Sequence, residues 1–113
     1  MQDIIDFHTH IFPDAIAQKA ANNVGDYYSL PLSGNGTLAS LKSSRPFPNT
    51  RYVVFSAALN PQKTSSVNDY IYRTCQADPT LIGMGSVHVD TPDREQEVER
   101  LISLGLKGMK FHP

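Results

Sequence analysis

Four short segments rich in β-branched and apolar residues recur along the chain, and stretches with helical periodicity separate them. The four segments are residues 4–9, 51–59, 81–89 and 106–111. Each has the length and composition of a buried strand. Because strands that alternate with helices pair in parallel through right-handed crossovers, the pattern predicts an α/β fold. The order of elements alone leaves two architectures open, a doubly wound sheet and part of a barrel.

The best-marked helix is predicted over residues 92–104. Thr91 is placed to cap its first turn, and Pro92 suits the first helical position, where no backbone donor is needed. Gly105 follows the last turn, where a left-handed residue commonly ends a helix. The spacing predicts that Glu95, Glu97 and Glu99 face water, whereas Val98, Leu101 and Ile102 face the core.

Three further helices are predicted with weaker boundaries. One spans residues 66–77, where Ser66 and Asp69 resemble a capping box and the Pro79 that follows prevents continuation. Another begins after Pro13, with an end weakened by asparagine and glycine. A short helix over 37–42 interrupts a loop that is rich in proline and glycine.

The amino-acid composition and charge balance limit the partners and substrates that are expected. The chain of 113 residues is 40 % hydrophobic and carries ten lysines and arginines against eleven acidic residues, without a charge block. This balance predicts no nucleic-acid or membrane partner and favours a small-molecule substrate. We see no signal-like leader or apolar span, so a cytoplasmic location is expected. The single cysteine, Cys75, falls on an apolar helical stripe and is interpreted as a small buried hydrophobe.

The first strand ends in a pair of histidines. A strand period of two places Asp6, His8 and His10 on one face, and Ile5 and Phe7 on the other. The imidazoles therefore converge at the carboxyl end of the strand, where parallel α/β folds place their sites. Such a pair can bind one Zn²⁺, Mn²⁺ or Fe²⁺ together with ligands from other strands. A His-x-His pair without such a context is more often ordinary surface or core histidine.

The predicted fourth strand carries a lysine, Lys110, near its carboxyl end. Alternation sends Met109 and Phe111 to the side covered by helices, and Lys110 with His112 to the other side. A buried ammonium is costly unless it binds an anion, pairs with a carboxylate or is chemically changed. Equally, Lys110 could extend to the rim or pair with Asp6.

Three segments together resemble a known family, the amidohydrolase-related metal-dependent TIM-barrel hydrolases. They are IDFHTHIFPD at 5–14, GMGSVHVD at 83–90 and GLKGMKFHP at 105–113. The resemblance implies a (β/α)₈ barrel with one or two divalent metal ions, most simply zinc with manganese or iron as alternatives. His8 and His10 would be the first-strand metal ligands, and a water would be activated for hydrolysis. Some members of the family are decarboxylases or other lyases, which gives an alternative activity.

The resemblance also implies roles for the fourth strand. In the dihydroorotase-like branch a lysine at this place is carbamylated and bridges two metals, so Lys110 and His112 are candidate catalytic residues. Alternatively, Lys110 contacts the substrate as a cation and His112 lines the pocket. For His88, at the end of the third strand, a rim histidine with local hydrogen bonds is favoured over a ligand.

The chain supplies about half of such a barrel. A complete barrel needs about 250 residues and eight strands, so residues 1–113 are expected to form the N-terminal part of one barrel domain, its first four β/α units, incomplete at the C-terminus. The later histidine and aspartate of the family have no counterpart here. Unpaired strand edges would favour a homo-oligomer, and a non-catalytic half-barrel fragment is the remaining alternative.

Overall fold

A computed structural model describes residues 3–31, 34–44, 47–58 and 60–111. Within them the chain is α/β, as predicted. The first two elements in chain order are strand β1 (Ile4–His10) and helix α1 (Ala17–Tyr28). The others, in chain order, are α2 (Leu38–Ser43), β2 (Thr50–Phe55), α3 (Thr64–Ala77), β3 (Leu81–Gly83), β4 (Gly85–Val87), α4 (Arg94–Ser103) and β5 (Met109–Phe111).

The strands form two small parallel sheets. One has the order β1-β2-β3, and the other pairs β4 with β5. Met84 alone separates β3 from β4. At this point the hydrogen bonds change partner, because Met84 N–H donates to Val54 O at 2.9 Å whereas Gly85 N–H donates to Gly108 O at 2.9 Å. The strand predicted over 81–89 is therefore two short strands that face different neighbours.

The core lies between the first sheet and α3. Ile11, Tyr52, Val54, Ile71 and Leu81 form its buried cluster. Burying each aliphatic side chain of this size stabilises the fold by roughly 1.5–3 kcal/mol relative to exposure. Because β2 supplies two of these residues and runs between β1 and β3, it is the central strand on which the candidate site is built.

Helix α3 begins earlier than the sequence suggested. A 3-10 turn (Pro61–Lys63) leads into it, and Asn60 Oδ1 accepts a hydrogen bond from Gln62 N–H at 2.9 Å. The predicted capping box is wrong, because Ser66 Oγ donates to Lys63 O within the helix. The predicted end at Ala77 is confirmed.

Helix α4 begins at Arg94, two residues later than predicted. Asp93 precedes it in the left-handed region with φ 51°. Thr91 does not cap the helix: its Oγ1 accepts from His88 N–H at 3.0 Å and shares a 2.8 Å hydrogen bond with Thr64 Oγ1. A contact with a residue 27 positions away therefore outweighs the local preference.

The predicted end of α4 is confirmed. Gly105 has φ 78° and donates to Ile102 O, while Leu106 N–H donates to Leu101 O at 3.2 Å. These two bonds form the Schellman arrangement that satisfies the last carbonyls of a helix.

The predicted faces of α4 are wrong at two positions. Glu97 is only 7 % exposed, and Ile102 is 71 % exposed. Leu101 is buried as expected, and Val98 is half-buried. The helix is rotated so that Glu97 points at α3, where Asn68 and Ser65 hydrogen-bond it, and Arg100 one turn along α4 bonds it as well.

Helices α1 and α2, which precede β2, lie close to their predicted positions, and the end of α1 differs from the prediction. Helix α1 continues to Tyr28 through the asparagines and glycine that were expected to weaken it, and ends where Ser29 adopts φ 53°. Helix α2 lies one residue later than predicted, with Thr37 Oγ1 accepting from Ser40 N–H at 3.1 Å. None of the helices in the described ranges is long and apolar enough to cross a membrane.

Cys75 is half-buried on the core side of α3. Burial, with a smaller contribution from the nearby carboxylate of Asp78, raises the pKa of its thiol to about 11. The thiol therefore stays protonated at neutral pH, which agrees with its interpretation as an apolar core residue.

Candidate metal centre

The histidine pair lies on a strand whose pairing is irregular. Asp6 pairs with Tyr52 and Thr9 pairs with Val54, so three steps along β1 oppose two steps along β2. The extra residue is a β-bulge, a feature that re-aims side chains where it occurs. Strict alternation, on which the prediction for this strand relied, therefore does not hold between Asp6 and Thr9.

The bulge is fixed by a side chain. Thr9 is buried, and its Oγ1 donates to Val53 O at 2.7 Å. The opposite side of the strand is open, since Phe7 is 73 % exposed and Ile5 is 45 % exposed. The prediction that β1 is a buried strand is therefore wrong on this side, within the described residues.

The two imidazoles of β1 meet at its carboxyl end. The Nε2 atoms of His8 and His10 are 3.3 Å apart, and their ring centroids are 5.3 Å apart. Two nitrogens bound to one zinc at ~2.0–2.1 Å with a tetrahedral angle are separated by about 3.3 Å. The same distance suits an N–H···N hydrogen bond between one protonated and one unprotonated ring nitrogen. The geometry thus fits two metal-ligand positions without requiring a metal.

Phe55 packs against both imidazoles. It is the register partner of His10, and its ring centroid lies 4.6 Å from that of His10 in an edge contact and 5.2 Å from that of His8. Aromatic pairs at such distances contribute about 0.5–1.5 kcal/mol beyond burial. Phe55 therefore restricts the orientation of both rings.

Lys110 reaches the same aromatic ring from β5. Its Nζ lies 5.6 Å from the Phe55 centroid, a cation-π contact of roughly 0.5–1 kcal/mol. None of the ion pairs given for the described residues involves Lys110. Phe111 lies instead beside Val87 and Val98 on the α4 side, in agreement with the predicted alternation.

The remaining predicted residues are not brought to this cluster. His88 Nδ1 accepts from Asp90 N–H at 3.0 Å, which is the local hydrogen bond expected for it. His112 lies outside the described residues. Within the described ranges no group of three or more histidines, cysteines and carboxylates gathers in a way that could hold a metal ion. The described chain therefore offers a two-histidine arrangement.

Sequence reasoning missed Phe55 as part of the site. Its position at the carboxyl end of the second strand was the available clue, because parallel strands bring these ends to one edge of a sheet. Aromatic residues are common in strands, however, and only the register between β1 and β2 shows that Phe55 is opposite His10.

A buried polar cluster between α3 and α4 was also missed. Glu97 accepts hydrogen bonds from Arg100, Asn68 and Ser65, and Arg100 also pairs with Asp69 at 2.7 Å. Burial would raise the pKa of Glu97, but these donors outweigh burial and hold it below its usual value. The hydrogen bonds to Glu97 in turn raise the pKa of Arg100. Both groups stay charged, and the cluster fastens the two helices together.

Asn68 connects this cluster to the sheet. It is fully buried, accepts from Ser86 N–H at 2.8 Å through Oδ1, and donates to Ser86 O at 3.0 Å through Nδ2. The Ser86 hydroxyl accepts from Ala58 N–H at 3.0 Å. A helix side chain thus satisfies the backbone of β4 in the way that a neighbouring strand would.

Comparison with protein-family models, with curated proteins and with solved structures finds no match to this chain. The resemblance described above is therefore carried by the three motifs alone and remains a prediction.

Proposed function

We propose that this chain carries the first-strand part of a metal-dependent hydrolase site of the amidohydrolase type, which acts on a small molecule. The observation that carries the proposal is the 3.3 Å separation of His8 Nε2 and His10 Nε2 at the carboxyl end of a parallel strand. This separation matches the spacing of two nitrogen ligands on one tetrahedral metal ion.

The order of the strands supports a half-barrel as the architecture. Each strand pairs with one that precedes or follows it in the chain: β1 with β2, β2 with β3, and β4 with β5. A barrel adds its strands in this sequential order, whereas a doubly wound sheet reverses direction after its first strands. The strands of the four proposed β/α units are β1, β2, the consecutive short strands β3 and β4 taken together, and β5.

The residues of this chain would have separate tasks in such a site. A bound divalent ion supplies a Lewis acid that polarises a carbonyl and lowers the pKa of water to about 7. His8 and His10 would hold it through their ring nitrogens, and Phe55 packs against both rings and restricts their orientation. Lys110 would contribute a positive charge near the site, since its Nζ lies 5.6 Å from the centre of the Phe55 ring. The remaining ligands are left to residues outside this cluster.

Calorimetric titration with Zn²⁺ tests the site. We expect measurable but weak binding, because two protein ligands replace the four of a structural zinc site. His8→Ala with His10→Ala should abolish binding and leave the circular dichroism spectrum unchanged, whereas the matched variant His88→Ala should bind as the wild type does. A chelator should remove the metal without unfolding the chain.

Two results would overturn the proposal. The first is tight, stoichiometric zinc binding that survives the double alanine substitution, since the ligands would then lie elsewhere. The second is hydrolysis of small amides or esters at full rate after removal of metal. Release of carbon dioxide from carboxylic acids would instead support the decarboxylase alternative on the same scaffold.

A further inference from the structure

The loop between α1 and α2 contains an asparagine followed by a glycine, Asn35 and Gly36, and no other asparagine of the chain precedes a glycine. We propose that Asn35 is a site of spontaneous modification in the folded protein. Its side-chain amide is lost through a succinimide formed with the backbone nitrogen of Gly36. The isoaspartate that results loosens the segment that follows β1. The modification does not depend on a metal ion at the histidine pair.

The carboxamide of Asn35 is held for attack by a nucleophile. Asn35 is exposed, and its Oδ1 accepts hydrogen bonds from Thr37 N–H at 3.0 Å and from Thr37 Oγ1 at 2.7 Å. Because these bonds span two residues, the carboxamide lies against the backbone between them. Both donors lie where negative charge develops on Oδ1 when a nucleophile adds to Cγ. Donors placed in this way lower the barrier to addition, as in an oxyanion hole.

The backbone nitrogen of Gly36 is available as the nucleophile. Its N–H donates to no residue in the described part of the chain, so base in the solvent can remove the proton. Glycine has no Cβ to obstruct the approach of its nitrogen to the carboxamide. The fold also requires glycine here, because φ is 81° and an added Cβ would lie 2.9 Å from Ala17 O. The packing of this loop therefore retains the residue that leaves Asn35 reactive.

The reaction needs only water as a co-reactant. The Gly36 nitrogen bonds to Asn35 Cγ after its proton passes to solvent, and the side-chain nitrogen takes up a proton and leaves as ammonia. Water then opens the succinimide ring at either carbonyl. Opening at the side-chain carbonyl gives aspartate. Opening at the main-chain carbonyl gives isoaspartate, in which the backbone runs through Cβ and Cγ and is longer by one carbon. No group is oxidised or reduced.

The two products differ in their effect on the fold. Aspartate keeps an oxygen that can accept from both donors of Thr37. Isoaspartate lengthens the backbone beside Gly36, whose carbonyl oxygen accepts from Phe12 N–H at 2.8 Å. Phe12 is only 5 % exposed and follows the buried Ile11, which donates to Phe55 O at 3.1 Å. A displaced Gly36 therefore leaves a buried N–H without its partner, just after the histidine pair.

Peptide mapping by mass spectrometry tests the site. Folded protein and a synthetic peptide of residues 33–40 are incubated side by side at mildly alkaline pH. We expect isoaspartate and aspartate in place of Asn35 in the folded chain, formed no more than about tenfold more slowly than in the peptide. The asparagines that do not precede glycine should stay intact over the same period: Asn22, Asn23, Asn49, Asn60 and Asn68. An Asn35 that stays intact in the folded chain while the peptide converts would overturn the proposal.

Substitutions test the chemistry of the step. Asn35→Gln keeps an amide but would have to close a larger ring, so it should abolish the modification. Thr37→Val should slow the reaction of the folded chain about threefold or more, because one of the donors to Oδ1 is lost. Thr37→Ser keeps the hydroxyl and should react as the wild type does. An unchanged rate in Thr37→Val would contradict the assistance by Thr37.

Urea unfolding tests the structural consequence. The aged protein should show a lower midpoint than Asn35→Asp, which carries the same added charge without the longer backbone. Asn35→Asp should match the fresh wild type. Asn35→Gln aged in the same way is the control for other damage, and ageing should not change its midpoint. Equal midpoints for the aged protein and Asn35→Asp would overturn the connection to the end of β1.

Discussion

Removing the Asn68 side chain tests how β4 is held in place. The amide makes hydrogen bonds to Ser86 N–H at 2.8 Å, to Ser86 O at 3.0 Å and to Glu97 Oε1 at 2.9 Å. Asn68→Ala leaves two backbone groups of Ser86 without these partners, and Ser86 is only 1 % exposed. Each unsatisfied buried group costs about 1–3 kcal/mol. Glu97 keeps its bonds to Arg100 and Ser65, so we assign little further cost to it.

We therefore expect Asn68→Ala to lower the free energy of unfolding by about 3 kcal/mol, since local relaxation recovers part of the sum. That loss is large for a domain whose total stability is roughly 5–15 kcal/mol. Urea unfolding followed by circular dichroism measures it as a lower midpoint with an unchanged slope. Thermal unfolding gives an independent value.

The matched control is Asn22→Ala, because Asn22 is exposed on α1 and its amide oxygen accepts from the exposed Gln18 at 2.9 Å. A surface change of this kind stays within about 0.5 kcal/mol. The reasoning is refuted if Asn68→Ala loses less than about 1 kcal/mol, or if both variants lose the same amount. Either result would mean that the backbone of β4 is satisfied without the helix side chain.

Three further predictions concern groups outside the site. The lowered pKa of Glu97 stabilises the fold at pH values above its unfolded pKa of about 4.3. This stability is lost as the pH falls through the folded pKa. The urea midpoints of Glu97→Gln should therefore depend less on pH below about 4.3 than those of the wild type. Cys75, with a thiol pKa of about 11, should react with a disulfide reagent at pH 8 roughly a hundredfold more slowly in the folded than in the urea-unfolded chain, and equal rates would contradict its burial. Gly105→Ala should cost about 1 kcal/mol because φ is 78° and no atom lies within 4 Å of an added Cβ, whereas an unchanged midpoint would show that the helix end relaxes.

Elements marked by local chemistry were predictable from the sequence. The left-handed Gly105 at the end of α4 and the stop of α3 before Pro79 follow from backbone restrictions that act within a few residues. The start of α4 was misplaced because the hydroxyl of Thr91 bonds to Thr64 rather than to the helix. The division of the third strand at Met84 depends on which strands lie on either side of it, and local periodicity does not contain this information.

The candidate site was predictable to a similar degree. The spacing of His8 and His10 pointed to a pair of converging imidazoles, and the structure brings their rings together. The bulge that modifies the alternation of β1 arises from pairing with β2 and could not be predicted from β1 alone. Glu97 was assigned to the water-facing side because three alternate glutamates look like a solvated face; its partners come from α3, which is distant in sequence.

The contact between Asn68 and Ser86 also determines where a second molecule could extend the sheet. Both backbone groups of Ser86 are occupied by a helix side chain, so an incoming strand could pair there only after α3 had been displaced. Among the described residues strand β1 pairs with β2 along one edge only, and Phe7 within it is 73 % exposed. An unpaired edge with an exposed aromatic residue is a template for strand addition. Strand exchange or fibril growth would therefore begin at β1 rather than at β4.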